Sequence, residues 1–247
     1  MTSLVQALGL GRGDVVAVAG AGGKTTLVYR LAAEARQAGL SVLVTSTTHM
    51  GTLPETITGP VLLEEDGDVG TGIAKVIERT GYATVLGRRV RPDKIEGIQG
   101  PRVDGLVGCA DLVVIEADGA RGRSLKVPAD HEPVIPRSTT VLVVVAALDA
   151  LGRPLDDVAV HRVERVAAAT GRAAGDAIDE DVVVAALAHP DGYPARIGPD
   201  RRGVVFLNKV EDAARAEAAA RIAPRLMPPY AGVMAGSARG GPVRVWP

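Results

Sequence analysis

Apolar and polar positions follow two rhythms along this chain, and the order of those rhythms points to the fold. Val15 to Ala19 is an unbroken apolar run, as expected of a parallel strand buried on both faces. It breaks into Gly20, Ala21, Gly22 and Gly23, and Lys24-Thr25-Thr26 then opens a helical pattern. Leu27, Val28, Leu31, Ala35 and Ala38 share one face of that helix, which Gly39 stops. Val42 to Val44 predicts a second buried strand ending in the polar cluster Thr45 to His49. Strand, helix and strand in that order make a parallel β-α-β unit with a right-handed crossover.

Further along, Gly51 to Pro60 reads as loop, Val69 to Thr80 as helix, and Ala83 to Leu86 with Val90 as a short strand or hairpin. Leu112 to Ile115 and Thr139 to Ala146 predict core strands. Val158 to Thr170 and Asp179 to Ala188 predict helices, and His189 to Pro194 a turn-rich connector. Gly203 to Leu207 reads as strand and Glu211 to Ala223 as a helix stopped by Pro224. Ala231 to Met234 and Val243 to Trp246 supply the last strand material. The expected fold class is α/β: a mostly parallel sheet flanked by helices, phosphate-loop NTPase-like. One nucleotide-binding domain is expected over residues 1–247, with 153–202 as a helical insertion.

Composition narrows the partners. Hydrophobic residues make up 47% of the 247 and aromatics only 2%, so the core must rest on Val, Leu, Ala and Ile. A net charge of −1 gives no electrostatic reason to expect nucleic acid. The longest apolar run, Val141 to Leu148, is too short to cross a bilayer, and no membrane partner is expected. Cys109 stands alone, which leaves no disulfide framework within one chain. With no basic leader ahead of the first strand, the expected location is the cytoplasm.

Three segments carry candidate chemistry. Gly20, Ala21, Gly22 and Gly23, between a strand and a helix start, make a phosphate cradle: glycines turn backbone N–H groups toward one anion, and the helix N-terminus adds positive partial charge. Lys24 would reach the outer phosphates of ATP or GTP, the Thr25 hydroxyl would ligate Mg2+, and Thr26 continues the cradle. A full G-x-x-x-x-G-K-[ST] pattern has glycine where this chain has Val18, so only the loop's entry departs.

The second segment runs from Leu112 to Pro136. A hydrophobic strand ending in carboxylates is where a phosphate-loop enzyme places its magnesium-organising acid, and Glu116 and Asp118 compete for that role. Glu116-Ala117-Asp118-Gly119 also has the spacing of a D-x-x-G switch, in which the Gly119 N–H would meet the γ-phosphate. In the polar loop that follows, Arg121, Lys126 and His131 are candidates for binding a second, anionic ligand. Thr47, Thr48 and His49 end the second strand on the same sheet edge; a threonine there is a candidate for completing the magnesium shell or sensing the γ-phosphate, and His49 for a general base or a substrate contact. His161 and His189, at predicted helix boundaries, are assigned capping or surface roles.

The third segment is Phe206 to Asp212. A strand ending in Asn208-Lys209 is similar to the N-K-x-D element by which many GTPases hold guanine, with Glu211 at the acidic position and Asp212 one further on. A polar strand end before a helix N-terminus accounts for the same residues equally simply.

Taken together, these segments resemble the YqeC-type accessory proteins of selenium-dependent molybdenum hydroxylases. The resemblance rests on Gly20 to Thr26, Val44 to Met50 and Glu116 to Pro136. It continues through Leu148 to Leu155, Val160 to Glu164 and Leu207 to Glu211. It implies a cytoplasmic nucleotide-binding factor that helps mature a molybdenum enzyme with a labile selenium ligand. The hydroxylase or its cofactor would then be the partner. It also places the chain near metallocentre-maturation NTPases, many of which carry a signature lysine five residues before the loop lysine. Here that position is Ala19, so a dimer would need other means. Three functions stay open: an NTP-hydrolysing maturation factor, a small-molecule kinase or ATP-dependent activating enzyme, and a protein that binds nucleotide or cofactor without turnover.

Overall fold

The computed structural model describes residues 3–51, 59–67 and 69–247. Its elements begin α1 (Leu4–Ala7), β1 (Asp14–Gly20), α2 (Lys24–Gln37), β2 (Val42–Ser46), β3 (Val61–Leu63), α3 (Val69–Thr80) and β4 (Tyr82–Leu86). Then come β5 (Arg89–Arg91), β6 (Lys94–Ile95), α4 (Gly100–Asp104), β7 (Leu112–Glu116), β8 (Leu125–Lys126), β9 (Val141–Ala147) and β10 (Val160–His161). The chain ends with α5 (Val163–Thr170), α6 (Glu180–Ala188), β11 (Arg202–Asn208), α7 (Ala213–Ile222), β12 (Gly232–Ser237) and β13 (Gly240–Trp246).

Nine strands form one sheet in the order β13-β12-β11-β9-β1-β7-β2-β4-β3, parallel except where β13 returns along β12. The fold is therefore α/β, as the alternating pattern predicts. Side chains of β1 alternate between the two faces, as a period of two requires. Val16 and Val18 pack with Leu27, Val28 and Leu31 of α2, while Ala17 and Ala19 join the cluster beneath α5, α6 and α7. Leu27 and Leu31 are fully buried, each worth about 1.5–3 kcal/mol relative to exposure.

The connection through α2 steps along the sheet in one direction, from β1 past β7 to β2. Those through α3, α4, α5–α6 and α7 step the other way. A single handedness of crossover then puts α2 on one face and the other four connections on the opposite face. The apolar clusters divide in that way. The reversal of strand order beside β1 opens a crevice at the carboxyl edge, where α/β sheets bind ligands. Register brings the strand ends level: Val18 pairs with Glu116, Glu116 with Ser46, Gly20 with Val145, and Asn208 with Ala147.

Several boundaries differ from the sequence pattern for local reasons. The helix predicted from Val158 begins at Val163, because Val160 pairs with Leu125 in the small β8–β10 ladder and Arg162 adopts a left-handed φ of 63°. Tyr82–Leu86 joins the main sheet, whereas Val90 belongs to the separate β5–β6 hairpin. Asp179 and Asp212 cap α6 and α7, accepting from the Val182 and Arg215 N–H groups, so each helix starts just after its aspartate. Most of the loop predicted from Gly51 to Pro60 lies outside the described residues.

Candidate functional site

The glycine loop is shaped by its neighbours. Gly20, Gly22 and Gly23 have φ of 101°, 84° and 115°, values that side-chain-bearing residues rarely adopt. A Cβ at Gly20 would lie 2.1 Å from the Val145 carbonyl oxygen, and one at Gly22 2.3 Å from the Ala147 Cβ. The loop thus lies directly against the end of β9. Gly23 occupies the N-cap position of α2 with no side-chain cap, so the first N–H groups of that helix have no capping acceptor.

Lys24 is buried, and its ammonium donates to the Gly20 carbonyl at 2.8 Å with Asp118 3.4 Å away. The neighbouring Thr25 hydroxyl donates to Glu116 at 2.8 Å. Burial raises the Glu116 carboxyl above its ordinary range, against the opposing pull of Lys24 and Thr25.

Asp118 is fully buried behind the loop instead. It accepts from the Gly20 N–H at 3.1 and 3.2 Å, from the Tyr193 hydroxyl at 3.2 Å, and meets Lys126 at 2.9 Å. Burial and the adjacent Asp118 hold the Tyr193 phenol well above its ordinary range. Of the two candidate acids, Glu116 borders the cleft beside Thr25 and Asp118 anchors the loop from below.

Lys126 is likewise buried. It donates to the Gly119 carbonyl at 2.7 Å and to Glu132 at 2.9 Å, and Arg162 grips Glu132 with both terminal nitrogens. Burial works against the charged Glu132, yet Arg162 and Lys126 hold its carboxyl down at about 2. The sequence does not show that these side chains form a buried network. Lys126 reads in the sequence as a ligand contact, and Tyr193 sits in a connector far along the chain.

A cleft of about 830 Å³ opens above these residues. Its floor is Gly22 to Thr26 and Glu116, and Thr48, His49, Gly119 and Arg121 line its sides. Thr47 turns away and donates to the Val134 carbonyl at 2.6 Å, and His131 is exposed outside the cleft. His161, assigned a capping or surface role from its position, instead lines the cleft beside Arg162. Burial, aided by the charges of Arg162 and Lys126, pushes its imidazole down to about 4. The hairpin residues Arg91 and Lys94 close the far wall, and no motif marks them in the sequence.

Asn208 and Lys209 are engaged within the protein. The Asn208 amide donates to the Gly22 carbonyl at 2.6 Å and accepts from the Ala238 N–H at 2.7 Å. Lys209, at φ 58°, pairs with Asp149 at 2.7 Å. The third segment thus ties the glycine loop to the turn after β12 and to the residues just past β9.

Fold and cleft together define an α/β protein whose glycine loop and strand-end acid meet at the switch point of a mostly parallel sheet. The model of the YqeC protein family matches residues 16–164, the stretch that runs from β1 through the loop and Glu116 to the start of α5. The chain belongs to that family. It is 32% identical over 202 residues to the Escherichia coli (strain K12) protein called "Uncharacterized protein YqeC", covering 80% of this chain and 77% of that one. Among the described residues no helix is long and apolar enough to cross a membrane.

Proposed function

We propose that this protein binds ATP or GTP with magnesium and hydrolyses it, as a cytoplasmic maturation factor for a selenium-dependent molybdenum hydroxylase. The observation that carries the nucleotide reading is the contact between Thr25 and Glu116. A hydroxyl directly after the loop lysine meets the carboxylate that ends the adjacent strand. Among the described residues no trio of His, Cys, Asp or Glu is arranged to hold a metal. Magnesium does not need one, since it takes one or two protein oxygens and completes its shell with phosphate and water. Thr25 and Glu116 fit that donor set, and the bound ion would supply neutralisation of phosphate charge.

The chain's own groups do the rest. The loop N–H groups and Lys24 bind the phosphates, with Lys24 leaving the Gly20 carbonyl to do so. Asp118 holds the Gly20 N–H and so keeps the loop in shape. Catalysis of this kind is positioning and charge neutralisation. The maturation role is supported by the sequence resemblance and by family membership.

A second reading, phosphoryl transfer to a bound small molecule, is favoured by the cationic far wall of the cleft. Calorimetry with non-hydrolysable ATP and GTP analogues tests the nucleotide site. Magnesium-dependent binding of either, lost in Lys24→Ala, is expected, and no binding of either would sink the proposal. Release of labelled γ-phosphate into water is expected under the first reading, and its recovery on a small molecule under the second.

A further inference from the structure

The cleft is longer than a phosphate site. From the glycine loop it extends across Arg121 and Arg123 to the β5–β6 hairpin, within the usual size range for small-molecule pockets. The hairpin is held in place by backbone pairing of Ile95 with Met50, just beyond β2.

Charge is distributed unevenly around it. Among the described residues Lys24, Arg91, Lys94, Arg121, Arg123 and Arg162 face only Asp93, Glu116 and Glu132, in a chain of net charge −1. Each of those carboxylates already has a partner. Glu116 accepts from Thr25, Glu132 is shared by Lys126 and Arg162, and Asp93 lies 4.0 Å from Arg91. Among the described residues Lys94, Arg121 and Arg123 have no carboxylate partner. Unneutralised like charges in one concavity repel each other and raise the local concentration of anions. Among the described residues apolar lining is sparse, with Met50 and Ala120 its main representatives and no aromatic ring to stack on a ligand. Recognition here rests on charge.

We propose that this outer half of the cleft is a second subsite, where Lys94, Arg121 and Arg123 bind a small molecule carrying its own phosphate or pyrophosphate group. The inference relies on the nucleotide reading only for the placement of the first phosphate chain over Gly22 to Thr26. The occupant then faces the γ-phosphate end of the nucleotide, where it is either the acceptor of a phosphoryl group or the cargo whose release hydrolysis controls.

Pyrophosphate is the probe. Calorimetry should show it binding to protein already saturated with magnesium and a non-hydrolysable nucleotide analogue. In the Arg121→Ala/Arg123→Ala double variant its affinity should fall about tenfold or more, the loss expected for charge-assisted contacts, with nucleotide affinity unchanged. Lys94→Ala, on a separate hairpin, should weaken pyrophosphate in the same way without disturbing the loop that carries the arginines. Exclusion of pyrophosphate by bound nucleotide, or a parallel loss of both affinities, would assign these cations to the nucleotide site and overturn the proposal.

One arm does not depend on nucleotide. In folded Lys24→Ala protein, pyrophosphate binding should persist and remain sensitive to Arg121 and Arg123. Failure of the nucleotide reading would appear as no analogue binding to wild type, with this arm intact. Pyrophosphate binding lost in Lys24→Ala but retained in the arginine variant would place the anion on the glycine loop and refute the second subsite.

Discussion

The Lys126 ammonium lies 2.9 Å from the Asp118 carboxylate, and neither side chain is exposed to solvent. Lys126 also bridges to Glu132, so one buried cation sits between the acid that anchors the glycine loop and the acid gripped by Arg162. Removing one partner of a buried pair leaves a charge that nothing compensates. Lys126→Met should cost about 3–5 kcal/mol. Tyr193→Phe removes only a hydrogen bond to the same carboxylate and should cost about 0.5–3 kcal/mol. Urea unfolding of the two variants checks the order, and a Lys126→Met protein as stable as wild type would refute it.

Acid should destabilise the protein in two steps. His161 is held down at about 4 against an ordinary 6.5, so the unfolded chain takes up a proton first. Its contribution is complete above about pH 6.5 and is lost as pH falls toward 4. Glu132 is held at about 2 against 4.5, so its contribution is present above pH 4.5 and drains away toward 2. Stability measured against pH should lose the upper step in His161→Gln and the lower step in Glu132→Gln. An unchanged profile in both would show that the two groups titrate alike in folded and unfolded chains.

Gly20 and Gly23 of the loop should not be equivalent. A Cβ at Gly20 meets the backbone of Val145, which is fixed in the sheet, whereas one at Gly23 meets the end of the Asn208 side chain at 2.3 Å. Both positions also carry left-handed strain of about 1–3 kcal/mol for any other residue. Gly23→Ala should fold with reduced stability and weakened nucleotide binding, while Gly20→Ala should be the more severely destabilised of the two. Equal thermal melting of the two variants would contradict this.

Asn208 gives a test of base recognition under the proposed nucleotide reading. Its amide is committed to the Gly22 carbonyl and the Ala238 N–H, so Asn208→Ala should loosen the loop whatever base is bound. ATP and GTP analogues are expected to weaken together, by about tenfold. Selective loss of the guanine nucleotide alone would instead make Asn208 a base-reading residue.

Local patterning carries most of the sheet. Val15 to Ala19 and Thr139 to Ala146 announce central strands because both of their faces are buried, so no polar position interrupts the apolar run within either strand's core. The β8–β10 ladder is not legible in the sequence, since each strand is two residues long and its pairing depends on contacts made far apart in the chain. The site divides in the same way. Lys24, Thr25 and Glu116 can be read from their place beside strands. The burial of Lys126, the reach of Tyr193 to Asp118 and the approach of Arg91 and Lys94 to the cleft arise only from tertiary packing.

Thr25 and Glu116 make the sharpest prediction about the metal. The hydroxyl and the carboxylate lie 2.8 Å apart on adjoining elements, and both are oxygen donors of the kind magnesium prefers. Thr25→Ser keeps the hydroxyl and should bind nucleotide as wild type does. Thr25→Val keeps the shape and removes the oxygen, while Glu116→Gln keeps the size and removes the charge. On the proposed nucleotide reading, each should leave the metal-free affinity for nucleotide nearly unchanged, because the loop N–H groups and Lys24, not this pair, would hold the phosphates. Each should also abolish most of the gain that magnesium brings, about tenfold or more in affinity. Titrations with and without EDTA separate the two effects. If Thr25→Val and Glu116→Gln retain the full magnesium gain, the metal is held elsewhere and this pair is only a structural contact.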